Sequence, residues 1–293
     1  MRFQYLEKIV AGDFKSIARC ISLVENDWEG SYELLQSLPQ NNIPVIGITG
    51  PPGAGKSSLT DALIGLLVEK NKKVAVLCVD PSSPFNLGAL LGDRIRMNRW
   101  YNSPGVFIRS LATRGSLGGL HPKIIEITDI VKAAPFDFVI VETVGVGQSE
   151  IEIAGLADIT IVVMVPESGD EVQTMKAGIM EIADIFVVNK SDRPGADLFI
   201  KNLQLTLSIN NNTVVVPIVK TSAINNEGIT ELLEKINFLT GNRNTERKTR
   251  LLAEKAFHLI QTGRMKDIDK EKLQNDIINE GENFNLYTFV SHY

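Results

Sequence analysis

The sequence predicts an α/β fold: a mostly parallel central sheet flanked by helices, with helical extensions at both ends. Two observations carry that expectation. Between residues 43 and 240, apolar β-branched runs alternate with stretches of helical periodicity, the pattern of strands joined by crossover helices. The first run, 45–49, passes through Gly50-Pro51-Pro52-Gly53-Ala54-Gly55-Lys56-Ser57-Ser58 into a helix with Leu59, Leu63, Leu66 and Leu67 on one face. That is a strand, a glycine-rich loop and a helix in the order a phosphate-binding loop requires.

The elements follow in order. Residues 1–42 form a helical extension, with Leu6, Ile9 and Val10, then Phe14, Ile17, Ile21 and Val24, at helical spacing. Gly12-Asp13 punctuates them and Pro39-Gln40-Asn41-Asn42 closes them. Strands are expected at 45–49, 73–79, 106–110, 137–142, 158–165, 184–189 and 213–219 within a nucleotide-binding domain spanning 43–240. The polar stretch from Gly241 to Thr245 resembles a linker. Beyond it Leu252, Ala256, Leu259 and Ile260 open a C-terminal helical arm over 241–293.

Bulk properties narrow the function classes. A chain of 293 residues with 44% hydrophobic and 22% charged residues has the composition of a soluble globular protein. Its net charge of −5 opposes sequence-independent nucleic-acid binding, which needs clustered Lys and Arg. The one dense basic stretch, Arg243 to Arg250, reads as a solvated linker or helix start, with a docking patch for an acidic partner as the alternative. With only Cys20 and Cys78, at most one disulfide is possible, which fits a reducing cytoplasm. Charged residues interrupt the N-terminus and no apolar run reaches membrane-spanning length, so neither a signal peptide nor a membrane role is expected.

Three sites carry the chemistry. In the first, Gly50 to Ser58, glycines let backbone N–H groups close on phosphate oxygens at a helix N-terminus. There Lys56 reaches the β- and γ-phosphates and the Ser57 hydroxyl joins a Mg²⁺ shell. A glycine-rich corner that merely turns strand into helix is the bland alternative, and the filled motif in this context disfavours it.

In the second, a buried strand delivers Glu142 at its C-terminal end, with Gly145 three residues on. In P-loop nucleotidases such a carboxylate sits near the metal and such a glycine N–H meets the γ-phosphate. A solvent-facing strand-end acid is the alternative. Val146, rather than the glutamine that orients water in many small GTPases, follows Gly145, and Gln148 is the glutamine close by. Intrinsic hydrolysis is therefore expected to be slow, needing a partner or a rearranged loop to become fast.

In the third, Asn189-Lys190-Ser191-Asp192 ends another apolar strand. The Asp192 carboxylate suits the N1–H and 2-amino donors of guanine, a pair adenine does not offer. Lys190 can lie along the base and Asn189 can brace the loop. Ser222-Ala223, followed by Ile224, is placed to contact the base. The tetrapeptide is also good turn chemistry, and its distance after the other two sites gives it weight. The nucleotide expected is GTP or GDP. Asp80 and Asp93 both follow the strand beside the loop strand, a place from which acids can reach the metal, although a turn former and a helix-start acid are their bland readings.

Together these residues resemble the MeaB/ArgK group of P-loop GTPases, chaperones of cobalamin-dependent methylmalonyl-CoA mutase and related acyl-CoA mutases. The resemblance rests on 47–57, Val-Asp-Pro-Ser-Ser at 79–83, 91–97, 113–119, Glu-Thr-Val-Gly-Val-Gly-Gln-Ser-Glu at 142–150 and 169–178. It implies Mg²⁺ around Ser57, Asp80, Asp93 and Glu142, and GTP hydrolysis stimulated by the mutase. It also implies a GTP cycle that gates cofactor delivery or repair, and relay residues Asp170, Glu171 and Lys176 in an extra switch loop. A homodimer held by residues 248–293, and a cobalamin adenosyltransferase as a further partner, belong to the same expectation. Ser58 stands where Thr is usual, and Ala177 where many relatives carry a second Lys. Two other classes compete. A kinase or ATPase linked to basic amino-acid transport is opposed by the Asn189–Asp192 motif. A nickel-insertion GTPase would need a richer His and Cys set than His121, His258, His292 and two distant cysteines.

Overall fold

The computed structural model describes residues 2–80, 97–114, 119–143, 149–168, 177–210, 216–242, 245–280 and 284–293. Asp93, Gly145, Gln148, Asp170, Glu171 and Lys176 lie outside the described residues. Two compact units result, Met1–Asn244 and Thr245–Tyr293.

The first unit opens with α1 (Arg2–Val10), α2 (Phe14–Glu25) and α3 (Ser31–Ser37). Then come β1 (Val45–Thr49), α4 (Lys56–Glu69), β2 (Val74–Asp80), β3 (Val106–Ala112), α5 (Ile124–Lys132) and β4 (Phe138–Glu142). The remainder is α6 (Ser149–Leu156), β5 (Ile159–Met164), α7 (Ala177–Ile182), β6 (Ile185–Val188), α8 (Ala196–Asn210), β7 (Ile218–Lys220) and α9 (Ile229–Gly241). The strands make one 7-stranded sheet in the order β3-β2-β4-β1-β5-β6-β7, parallel throughout.

Helices on both faces explain why the strands read as unbroken apolar runs. Alternate residues of each strand feed opposite cores. Val45, Ala75, Leu77, Val139 and Val141 pack with Ile9, Ile17, Ile21 and Leu34, so the N-terminal helices share a core with the sheet. Ile46, Ile48, Val74, Val76 and Ile140 pack on the other side with Leu59, Leu63 and Leu67 of α4 and Leu232 of α9. Strand positions match the sequence expectation closely, with β2 running on to Asp80 and β3 to Ala112. For the last strand, β7 is Ile218–Lys220, and 211–215 lie outside the described residues.

Gly47 is required by packing. A Cβ there would fall 2.5 Å from Ile153 Cγ1 and 2.9 Å from the Ala157 Cβ, so α6 sits directly on β1.

A charged cluster ties the end of α2 to β3 and to the segment that precedes α5. Arg109 donates to Glu25 at 2.6 Å and to Ser22 at 3.0 Å, and Arg114 donates to the Glu25 carbonyl. His121 is buried against this group, its Nε2 3.7 Å from Glu25 and its Nδ1 accepting from the Lys123 amide. Burial, reinforced by the charges of Arg114, Lys123 and Arg109, depresses the imidazole pKa to about 4. The imidazole is therefore neutral near pH 7, and Glu25 is engaged with Arg109 rather than with an imidazolium.

The second unit holds α10 (Thr245–Arg264), α11 (Lys270–Glu280) and α12 (Leu286–Val290). Asn285 caps α12 through the amides of Tyr287 and Thr288. The rings of Phe284, Phe289 and Tyr293 pack in sequence at 5.5 and 5.3 Å, and the Tyr293 hydroxyl donates to Asp276. Leu252, Phe257 and Ile260 of α10 are exposed. No helix among the described residues is long and apolar enough to cross a membrane.

Candidate functional site

The candidate site lies at the C-terminal ends of β1, β4, β6 and β7, the edge at which open parallel sheets bind ligands. Its floor is the loop from Gly50 to Gly55. Gly50 has φ +141°, and a Cβ there would sit 2.1 Å from the Val163 carbonyl oxygen. Gly55, at φ +88°, would drive a Cβ to 2.4 Å from Asn189 Nδ2. Both positions demand glycine, for backbone conformation and for space. Gly55 is also the N-cap of α4 and supplies no side-chain cap, so this helix start is the kind that accepts an anion.

Lys56 is buried and its ammonium donates to the Gly50 carbonyl at 2.8 Å and the Pro51 carbonyl at 3.1 Å. The cation thus lies across the mouth of its own loop, held by contacts that a phosphate oxygen could take over. Pro52 and Gly53 are exposed, Ala54 is buried, and Ser58 is exposed on the first turn of α4.

Beside the loop, Ser57 donates its hydroxyl to Glu142 Oε1 at 2.6 Å. The second oxygen, Oε2, accepts from Thr60 at 2.9 Å. Glu142, Ser57 and Asp80 are all buried, and the parallel register pairs Ile48 and Cys78 with Glu142, so β4, not β2, is the strand beside the loop strand and Asp80 ends the next strand out, contrary to the sequence expectation. Thr49 on β1 and Thr143 after β4 face each other with hydroxyls 2.9 Å apart. A hydroxyl and two carboxylates form an all-oxygen set, which suits Mg²⁺ sharing its shell with phosphate oxygens and water. Among the described residues no cluster of three His, Cys, Asp or Glu side chains is assembled.

The base-side loop is joined to the phosphate-side loop through one side chain. Asn189 Nδ2 donates to the Ala54 carbonyl at 3.0 Å, while its Oδ1 accepts from the Ala223 amide at 3.1 Å and the Thr221 hydroxyl at 3.2 Å. Lys190, at φ +54°, donates to the Gly53 carbonyl at 2.7 Å. Ser222 donates to Asp192 Oδ1 at 2.7 Å. That bond, helped by Asp192's own backbone and the nearby Arg193 and Lys190, holds the Asp192 carboxyl below the usual range, so it is an acceptor at neutral pH. Ile224 projects outward with 85% of its surface exposed.

Of the residues singled out from sequence, Gly50 to Ser58, Glu142, Asp80, Asn189, Lys190, Asp192, Ser222, Ala223 and Ile224 are gathered on this edge or its loops. The Ala223 amide is engaged with Asn189 rather than open to a base. Four threonines were not singled out: Thr49, Thr60, Thr143 and Thr221. Thr60 follows Ser57 by three residues on a helix, a spacing that puts both hydroxyls on one face.

A family model described as methylmalonyl Co-A mutase-associated GTPase MeaB matches residues 17–276. A Pyrococcus abyssi protein with a provisional GTPase name is 45% identical over 281 residues, covering 94% of this chain and 82% of its own. The fused isobutyryl-CoA mutase of Geobacillus kaustophilus is 43% identical over 205 residues, 66% of this chain and 19% of that protein. GTPase ArgK of Escherichia coli is 40% identical over 193 residues, 64% of this chain and 58% of its own. Among solved structures, that of a LAO/AO transport system kinase shares the fold, with a TM-score of 0.70 at 24% identity, covering 99% of this chain and 95% of that one.

Proposed function

Because the chain belongs to the MeaB family of methylmalonyl-CoA mutase-associated GTPases, we propose that it binds and hydrolyses GTP and serves a cobalamin-dependent acyl-CoA mutase as a chaperone. The observation that carries this reading is the Asn189 bridge between phosphate-side and base-side loops, which leaves the ionised Asp192 held by Ser222. A carboxylate so held accepts from the N1–H and 2-amino group of guanine and rejects adenine, whose edge leaves it unpaired.

The roles follow from position. The loop of residues 50–55 and the start of α4 take the phosphates, and Lys56 exchanges its loop carbonyls for phosphate oxygens. Ser57, Asp80 and Glu142, with Asp93 from outside the described residues, would hold Mg²⁺. Bound there, the ion would neutralise charge developing on the phosphoryl oxygens. Gly145 and Gln148 are assigned to the γ-phosphate and attacking water, and Lys176 to a relay toward the partner. A valine after Gly145 is consistent with slow turnover alone and faster turnover with a mutase.

The fused isobutyryl-CoA mutase supports a mutase partner, since one polypeptide there joins a region similar to this chain to a protein named for mutase activity. The exposed apolar residues of α10 support a homodimer through the C-terminal unit, and adenosyltransferase contact extends the same reading. The test is GTP turnover by the purified chain with and without candidate acyl-CoA mutases recovered by pull-down. Stimulation by one of them is expected. No stimulation by any would reduce the reading to a GTPase without a mutase partner.

A further inference from the structure

Among the described residues, two hydroxyls donate to Glu142. Its Oε1 accepts from Ser57 at 2.6 Å and its Oε2 from Thr60 at 2.9 Å, all three side chains being buried. Ser57 and Thr60 stand one turn apart on α4, so a single carboxylate from β4 spans two hydroxyls of the phosphate-binding helix. The Thr60 hydroxyl also lies 3.0 Å from the Lys56 carbonyl. It has one proton to give, and the Glu142 oxygen is the nearer acceptor, at 2.9 Å against 3.0 Å for the carbonyl.

We propose that Thr60 is a positioning residue for the metal site: by fixing Oε2 of Glu142 it turns Oε1 toward Ser57, where the nucleotide-bound cation is held. This inference rests on the reading of Ser57 and Glu142 as metal-side residues. A rotating carboxylate would have to be reoriented each time a cation bound, whereas one pinned at Oε2 presents Oε1 in advance. Ser57 would keep its proton on Glu142 and still have an oxygen lone pair to offer a cation, so the two hydrogen bonds are compatible with a metal at this place. A glutamate, with its extra methylene, reaches both hydroxyls from the end of β4.

The alternative is that Thr60 only back-bonds to the Lys56 carbonyl, as helical threonines commonly do. Mn²⁺ titrated into the GDP-loaded full chain and followed by electron paramagnetic resonance separates the two, with GDP affinity in EDTA measured alongside. Thr60→Val, which keeps the shape and removes the donor, should weaken Mn²⁺ binding about tenfold, the loss expected for one hydrogen bond to a charged acceptor. Metal-free GDP affinity should stay unchanged, and Thr60→Ser should restore Mn²⁺ binding. If Thr60→Val does not fold, Thr60→Ala takes its place with the same expectation. Unchanged Mn²⁺ affinity, an equal loss of metal-free GDP binding, or failure of Thr60→Ser to restore overturns the inference. Should the unaltered chain take up no Mn²⁺ with GDP, the nucleotide–metal reading falls as well.

Discussion

Ser222 donates its hydroxyl to Asp192 Oδ1 across 2.7 Å, linking the loop after β7 to the loop after β6. The bond aims the carboxylate and is the largest of the influences holding its pKa below the ordinary value. A carboxyl held below its ordinary value stays charged as pH falls, and its binding contribution is lost only as pH passes through the depressed value. The share of GTP affinity that Asp192 contributes, read as the ratio of affinities of the unaltered chain and Asp192→Asn so that titration of the terminal phosphate cancels, should accordingly be flat between about pH 8 and about pH 5. Ser222→Ala should weaken GTP about fivefold, less than for a buried pair because the Asp192 carboxylate is exposed to water, in a fluorescent-nucleotide titration. A steep fall of that ratio on going from neutral to mildly acid pH would contradict the role given to the pair.

The buried Thr49 and Thr143 hydroxyls, 2.9 Å apart, join the strand that enters the phosphate-binding loop to the chain leaving β4. Thr49→Val removes one partner and leaves the other hydroxyl buried without it, a cost of about 1–3 kcal/mol. Each kcal/mol lowers Tm by about 2–4 °C in a domain of this size class. A melt unchanged by the substitution would mean that the contact contributes nothing.

His121 makes stability depend on pH. Its folded pKa of about 4 lies below the unfolded value of about 6.5, so the unfolded chain binds more protons between those values. Stability is therefore full above the unfolded pKa and declines as pH falls toward the folded one. The decline attributable to this residue is on the order of 3 kcal/mol. Denaturant unfolding at successive pH values should show a shallower acid slope for His121→Gln. An identical slope would assign the acid sensitivity to other groups.

Much of the fold was legible because parallel strands buried on both faces cannot hide: Ile46 to Ile48, Val74 to Val79 and Phe138 to Val141 are apolar without interruption. The loop and the Asn189–Asp192 stretch were legible because glycines with positive φ and fixed polar spacings leave a signature. The hydroxyl contacts were not. Thr60 reads as a neutral helical residue, and only the parallel pairing of β1 with β4 brings Glu142 over it. Thr49 and Thr143 are likewise 94 residues apart, joined by a register that no local pattern encodes. The shared core of α1–α3 with the sheet was also invisible, since helical periodicity gives a buried face without naming what covers it.

The guanine-recognising carboxylate is tested most directly by exchanging it. Competition of GTP, ATP and xanthosine triphosphate for the unaltered chain and for Asp192→Asn reads the preference without any partner. Xanthine carries a 2-carbonyl where guanine has an amino group, so an asparagine amide matches it by accepting from N1–H and donating to O2. The unaltered chain should prefer GTP, and Asp192→Asn should lose that preference by about a hundredfold or more while gaining affinity for xanthosine triphosphate. Retention of the GTP-over-ATP preference in Asp192→Asn would contradict the account.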